Sequence, residues 1–177
     1  FFFKQKTAYE IYQCDWSSDV CSSDLGQRDE ALAMFDVEIW GVRKGHCQDQ
    51  VNAIALLGRL ELEGLSAGDR WTDIADHVTP HALDGISPFL DLHYIYALAR
   101  AGRDAMAEQL AATRPGGELA AGMMAHARGR YAEASLAFGA GRKQLRSIGG
   151  SQVQREWFDR LFIDSLARAG SERRLYA

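Results

Sequence analysis

The chain has 177 residues, 47% of them hydrophobic, with 24 acidic against 20 basic side chains and a net charge of −4. That suffices for one core of ordinary size or a short helical array, and it excludes a disordered tail or a tiny stapled scaffold. No run of Lys or Arg forms a stripe able to neutralise phosphates, so nucleic acid is not an expected partner, and no stretch approaches the ~20 apolar residues a membrane-spanning helix needs.

The first twenty-five residues, Phe1 to Leu25, differ from all that follow: a triple Phe start, scattered Lys, then a Ser/Asp-rich run from Asp15 to Leu25. No period of 3.6 or 2 persists through them. The apolar residues precede the basic ones and no continuous apolar core follows, which is not the order of a signal peptide. Lys4 to Glu10 and Asp15 to Leu25 resemble the conceptual translation of a short-read sequencing adapter joined to a gene fragment. Residues 1–25 are therefore expected to be a non-native segment, and 26–177 the protein proper. Without that segment Lys plus Arg falls from 20 to 18 and Asp plus Glu from 24 to 20, a net charge of −2, and Cys47 is the one cysteine left. No disulfide framework argues for secretion, so the cytoplasm is the expected compartment.

Gln27 to Trp40 reads as a helix with apolar positions Ala31, Met34, Phe35, Val37 and Ile39, closed by Gly41 and Gly45. The stretch from Val51 to Gly64 is apolar almost all round, with Asn52, Arg59 and Glu63 on one polar stripe, so it is expected to be the helix the chain is organised around. A short helix from Arg70 to His77 stops before Pro80. Ser87-Pro88 then places an N-cap and a first-position proline before an apolar helix from Phe89 to Ala101. Turns at Gly102 to Asp104, Arg114 to Gly117 and Gly129-Arg130 separate helices Ala105 to Thr113 and Glu118 to Arg128 from a long one. In that long helix Tyr131, Ala134, Phe138, Gly141, Leu145 and Ile148 share one face, and Gly139 and Gly141 are expected to permit a close crossing.

Ser151 with Gln154 three residues on is a capping box that starts the last long helix. Its buried face is predicted as Trp157, Phe158, Leu161, Phe162 and Leu166, and its wet side as the pairs Arg155/Asp159, Glu156/Arg160 and Asp164/Arg168. A further helix is expected beyond Gly170. No segment alternates as a strand does, so the fold class is all-α.

Four glycines, Gly26, Gly102, Gly129 and Gly170, are expected to end one helix and lead into another, and an alanine follows the first three by five residues, at Ala31, Ala107 and Ala134. Gly26-x-x-x-Glu30-Ala31-x-x-x-Phe35 and Gly129-x-Tyr131-x-Glu133-Ala134-x-x-x-Phe138 look like the turn and second helix of a tetratricopeptide repeat. Gly allows the left-handed turn, Ala a close helix contact, and the aromatic fills the groove between pairs. The glycines are 76, 27 and 41 residues apart, against about 34 in a regular array, so the repeat is degenerate. Leu60-Glu61-Leu62-Glu63-Gly64, Gly68-Asp69-Arg70-Trp71, Asp91-x-His93 and Gly149-Gly150-Ser151 with Gln154-Arg155, in this order, resemble the tetratricopeptide repeat protein 38 family. The resemblance covers Gly26 to about Gly170. It implies a tetratricopeptide-like α-solenoid of antiparallel helix pairs, the C-terminal part of a longer chain joined at Leu25–Gly26 within a repeat turn. It assigns no reaction.

Asp91 and His93 interrupt an apolar helix, and buried charge needs partners. Two apart, they face different directions, so each is expected to be braced by another helix, with Arg59, Arg70 or Arg155 holding Asp91. Arg70 and Trp71 are candidates to line a groove, although Trp71 also reads as core and Arg70 as its cap. Gln154 and Arg155 fall in a first helical turn. Arg59, Arg70, Trp71, Asp91, His93, Gln154 and Arg155 are thus the candidate binding residues. His77 and His81 are separated by Pro80 and, even with His46 and Cys47, give no zinc expectation. No phosphate loop or cofactor motif is present, and Cys47 lacks any surrounding nucleophile signature. The expected role is binding a protein, peptide or small molecule in a groove. The alternative is a piece of an enzyme whose catalytic residues lie mostly in a missing amino-terminal region, or a Cys47/His93/Asp91 site, and a third is an oligomerisation module. A helix at Gln27 to Trp40 without its preceding repeat is expected to expose an apolar patch of Ala31, Met34 and Phe35 that promotes association.

Overall fold

The computed structural model describes residues 25–113 and 117–175. Among the described residues the chain forms eight α-helices and no strand: α1 (Leu25–Met34), α2 (Cys47–Leu62), α3 (Arg70–Val78), α4 (Pro88–Arg100), α5 (Asp104–Thr113), α6 (Gly117–Ala127), α7 (Tyr131–Gly141) and α8 (Gln152–Leu175). None is long and apolar enough to cross a membrane. The adapter-like stretch up to Asp24 and the turn at 114–116 lie outside the described residues.

The helix at the centre is α4, not α2. Every residue from Phe89 to Ala99 is buried, because a helix apolar on all faces is stable only with neighbours on all of them. α2, α3, α5 and α6 supply those neighbours. α2 instead keeps Asn52, Arg59, Glu61 and Leu62 half exposed. Ser87 caps α4 as expected, its hydroxyl accepting from the Leu90 amide at 3.2 Å, with Pro88 in the first turn.

Three helices end in the same way. Gly64, Gly102 and Gly129 have φ of 85°, 72° and 73°. At each, the glycine N–H reaches the carbonyl three residues back and the next N–H the carbonyl five back, as in Gly102 to Ala99 at 3.1 Å and Arg103 to Leu98 at 2.8 Å. This satisfies carbonyls the helix end leaves open, in a conformation that favours glycine. The turns at Gly102 and Gly129 fold α4 onto α5 and α6 onto α7. The alanines five residues on, Ala107 and Ala134, are 0% exposed. A helix begins at Leu25–Gly26 as expected, with what precedes it outside the described residues, whereas Gly170 differs from expectation: it lies inside α8, so no further helix begins there.

Two other boundaries differ. The face from Tyr131 to Ile148 does not lie on one helix, since α7 stops at Gly141 and tightens into a 3₁₀ turn over Arg142–Arg146. Gly141 presses on α6, where an added Cβ would stand 2.9 Å from the Leu119 side chain, whereas Gly139 has only ordinary contact with Phe162. Two glycines in three residues weaken the helix at this point, yet Ile148 stays buried and its carbonyl accepts from the Phe89 amide at 3.1 Å. On α8, Leu166 is 48% exposed while Ser165 and Ala169 face inward, because the buried line advances four residues at a time from Trp157 through Leu161. Glu156/Arg160 and Asp164/Arg168 pair as expected. Arg155 does not meet Asp159: it turns to the carbonyls of Gly149 and Gly150, and Asp159 faces Arg142.

The capping box at the start of α8 is reciprocal, Ser151 N–H to Gln154 Oε1 at 2.8 Å and Gln154 N–H to Ser151 Oγ at 3.2 Å. Ser151→Ala is expected to lower the unfolding free energy by about 1 kcal/mol, read from the urea midpoint, and an unchanged midpoint would contradict it.

The expected apolar patch near the start is not formed. α1 continues into a wider π-helical turn, Phe35–Ile39, that packs on α2. Ala31 and Phe35 are buried and only Met34 of the three reaches solvent. Trp40 Nε1 and Lys44 Nζ both donate to Asp73 on α3, at 2.5 and 2.6 Å. At the other end α8 returns to α2, where Trp157 lies against Gly58. A stack in which each helix pair met only its neighbours would leave α2 and α8 apart. This closure creates the site described next.

Candidate functional site

The seven residues singled out from the sequence do not converge. His93 is 0% exposed on α4, and its Nδ1–H donates to the Phe89 carbonyl at 2.7 Å. Phe89, Trp157 and Phe158 surround its ring at centroid distances of 4.5, 4.9 and 5.2 Å. Burial holds its pKa down at about 3, helped by the nearby charge of Arg59, so the ring is neutral. Its Nε2 has no hydrogen-bond partner, so His93 makes no bond to Cys47. Asp91 is 3% exposed on the same helix. Of the arginines expected to hold it, Arg70 is bidentate to Asp36, at 2.8 and 2.6 Å, and Arg155 binds the Gly149 and Gly150 carbonyls. Trp71 is core, edge-on to Tyr96 at 5.6 Å, and Gln154 is explained by capping. Among the described residues no three His, Cys, Asp or Glu side chains converge as metal ligands.

A cleft of about 340 Å³ opens instead where the ends of α2, α4 and α6 meet α7 and α8, within the range of small-ligand sites. Its polar lining comes from Glu61 in the last turn of α2, Tyr96 and Arg100 one turn apart on α4, His126 at the end of α6, Tyr131 at the start of α7, and Arg168 on α8. The Gly64 turn forms part of the rim.

One wall is built on Arg100. Its Nη2 donates to Glu61 Oε1 at 2.5 Å, its Nη1 to the Ala127 carbonyl at 3.2 Å, and its guanidinium lies 5.9 Å from the Trp71 ring centre. It thereby covers the C-terminal carbonyls of α6, where positive charge is favoured. The opposite wall is Arg168, whose Nε donates to Asp164 at 2.9 Å and Nη1 to the Tyr131 hydroxyl at 3.2 Å, with its plane 4.9 Å from the Tyr131 ring centre.

Between the walls runs a hydrogen-bond chain. His126 Nε2 lies 3.0 Å from Asp164 Oδ2, and Nδ1 lies 3.3 Å from the Tyr96 hydroxyl. A carboxylate only accepts, so Nε2 carries the proton and Tyr96 O–H donates to Nδ1. Burial lowers the His126 pKa against the opposing pull of Asp164, and burial raises that of Tyr96, so both are neutral near pH 7. The cleft floor is thus a fixed, uncharged pair between two ion-paired arginines. Such an arrangement can offer charge and hydrogen bonds to a ligand.

None of the residues that line the cleft is among the seven candidates read from the sequence. The sequence pattern places Asp164/Arg168 only on the wet side of α8. The four-residue spacings Tyr96/Arg100 and Asp164/Arg168 put each pair on one helix face, which was the available signal. His126 sits in Gly122-Met123-Met124-Ala125-His126-Ala127 without any motif. No protein-family model matches the chain, and no solved structure matches it.

Proposed function

We propose that this chain is a tetratricopeptide-like binding module that holds a peptide, a protein segment or a small molecule in the cleft between Arg100 and Arg168. The observation that carries this reading is the cleft itself: about 340 Å³, walled by two arginines whose ion pairs and aromatic contacts hold them in place. Preorganised charged groups lose little freedom when a ligand arrives. The repeated glycine turns and the buried Ala107 and Ala134 support the tetratricopeptide-like part, while Asp91 and His93 are packed in the core, His93 bonded to its own helix rather than to another.

A fragment library titrated into ¹⁵N-labelled protein tests the reading. Ligands are expected to shift the amides of Gly64, Ser66 and Tyr131 together, and Arg168→Ala to weaken such ligands about tenfold or more. Shifts confined to other surfaces would overturn it.

A further inference from the structure

We propose that the cleft selects a small zwitterion of dipeptide size, its carboxylate on Arg168 and its ammonium on Glu61. This deepens the binding reading above and rests on it.

The lining carries two arginines and Glu61, with His126 neutral between the walls, and Asp164 lies behind Arg168 and His126. A singly charged anion therefore also meets the Glu61 carboxylate, and a simple cation meets two guanidinium groups. A ligand carrying both charges suits a lining that presents both signs, provided its charges fall on groups open to it. Those groups lie on opposite walls. Arg100 spends two donors on Glu61 and the Ala127 carbonyl, lies against the Trp71 ring, and has its Nε buried, with a side chain 32% exposed, so it is the less open of the two arginines. Asp164 already accepts from both His126 and Arg168. Arg168 spends two of its five N–H donors, on Asp164 and Tyr131, and its side chain is 46% exposed. Glu61 accepts one hydrogen bond, at Oε1, and its side chain is 17% exposed, so its second oxygen retains full acceptor capacity. Donors are thus spare on α8 and an acceptor is spare on α2. Tyr131, held under Arg168, fixes the plane in which a carboxylate would be gripped.

The test uses glycylglycine as the probe and N-acetyl-glycylglycinamide, which has neither charge, as its control, both titrated into the ¹⁵N-labelled full chain. Glycylglycine is expected to shift the Arg168 Nε–H and the Gly64 and Ser66 amides saturably, and the capped compound to bind about tenfold weaker or less. Glu61→Gln and Arg168→Met are each expected to weaken glycylglycine about tenfold, and Arg168→Lys to retain part of the binding. The capped comparison is made on the unaltered protein, so it stands even where a variant unfolds. Equal binding of the capped compound, or no glycylglycine shift at the cleft while neutral fragments such as benzamide do shift it, overturns the zwitterion and leaves the binding reading intact. If no probe moves any cleft signal, both fall.

Discussion

Trp157→Ala is expected to lower the unfolding free energy by about 3–5 kcal/mol, the range for deleting a large buried aromatic side chain. Trp157 is 0% exposed, and its ring meets His93, Tyr96 and Phe158 at centroid distances of 4.9, 5.0 and 5.5 Å. Its Nε1 makes no hydrogen bond, so the loss is one of packing. The same side chain joins the last helix to α2, because Gly58 leaves room for it: a Cβ at Gly58 would lie 2.8 Å from the ring. Gly58→Ala gains about 1 kcal/mol of helix propensity but forces a rigid, enclosed ring to move, an overpacking of about 1–3 kcal/mol. A net loss is expected in the parent, and a net gain when Trp157 is already Ala. A double-mutant cycle by urea denaturation measures this coupling. Equal effects of Gly58→Ala in both backgrounds would show that α8 does not press on α2.

Features carried by local rules were legible in the sequence. The Ser87 cap, the Ser151/Gln154 box and the turns at Gly102 and Gly129 each depend on a few neighbouring residues, and each forms as read. Phe35 and Phe138, at matching positions after their glycines, are both buried. What failed depended on distant packing. Gly170 shares the residue type of the turn glycines, but α8 runs on through it. Leu166 is apolar, yet the line of α8 that meets the core passes through Ser165 and Ala169. Arg155 had a carboxylate one turn away and found two carbonyls in the loop before it. Glu61 and Arg168 are 107 residues apart and share a cleft only because α8 folds back on α2. No local pattern encodes that return, so the cleft was invisible while its walls were in plain view.

Acid should destabilise this fold through His93 well before every carboxylate is protonated. In the folded chain its pKa is lowered by burial to about 3, against 6.5 for the free side chain. The sign follows from which state takes the proton. Above pH 6.5 the ring is neutral in both states and the contribution is fully present. Between pH 6.5 and about 3 the unfolded chain binds a proton that the folded chain refuses, so unfolding becomes easier as pH falls. The limiting slope is ~1.4 kcal/mol per pH unit for one proton, which amounts to about 4–5 kcal/mol across the window. His93→Phe keeps an aromatic ring against Phe89, Trp157 and Phe158 and removes the titration, while losing the bond to the Phe89 carbonyl. At pH 7 the variant is therefore expected to be about 1 kcal/mol less stable than the parent. By pH 4 the order reverses, because the parent alone has given up stability to His93. Urea midpoints of both proteins from pH 7 to pH 4 measure the crossing. Parallel curves would mean that His93 takes up its proton in the folded state, and that the aromatic enclosure on α4 admits water.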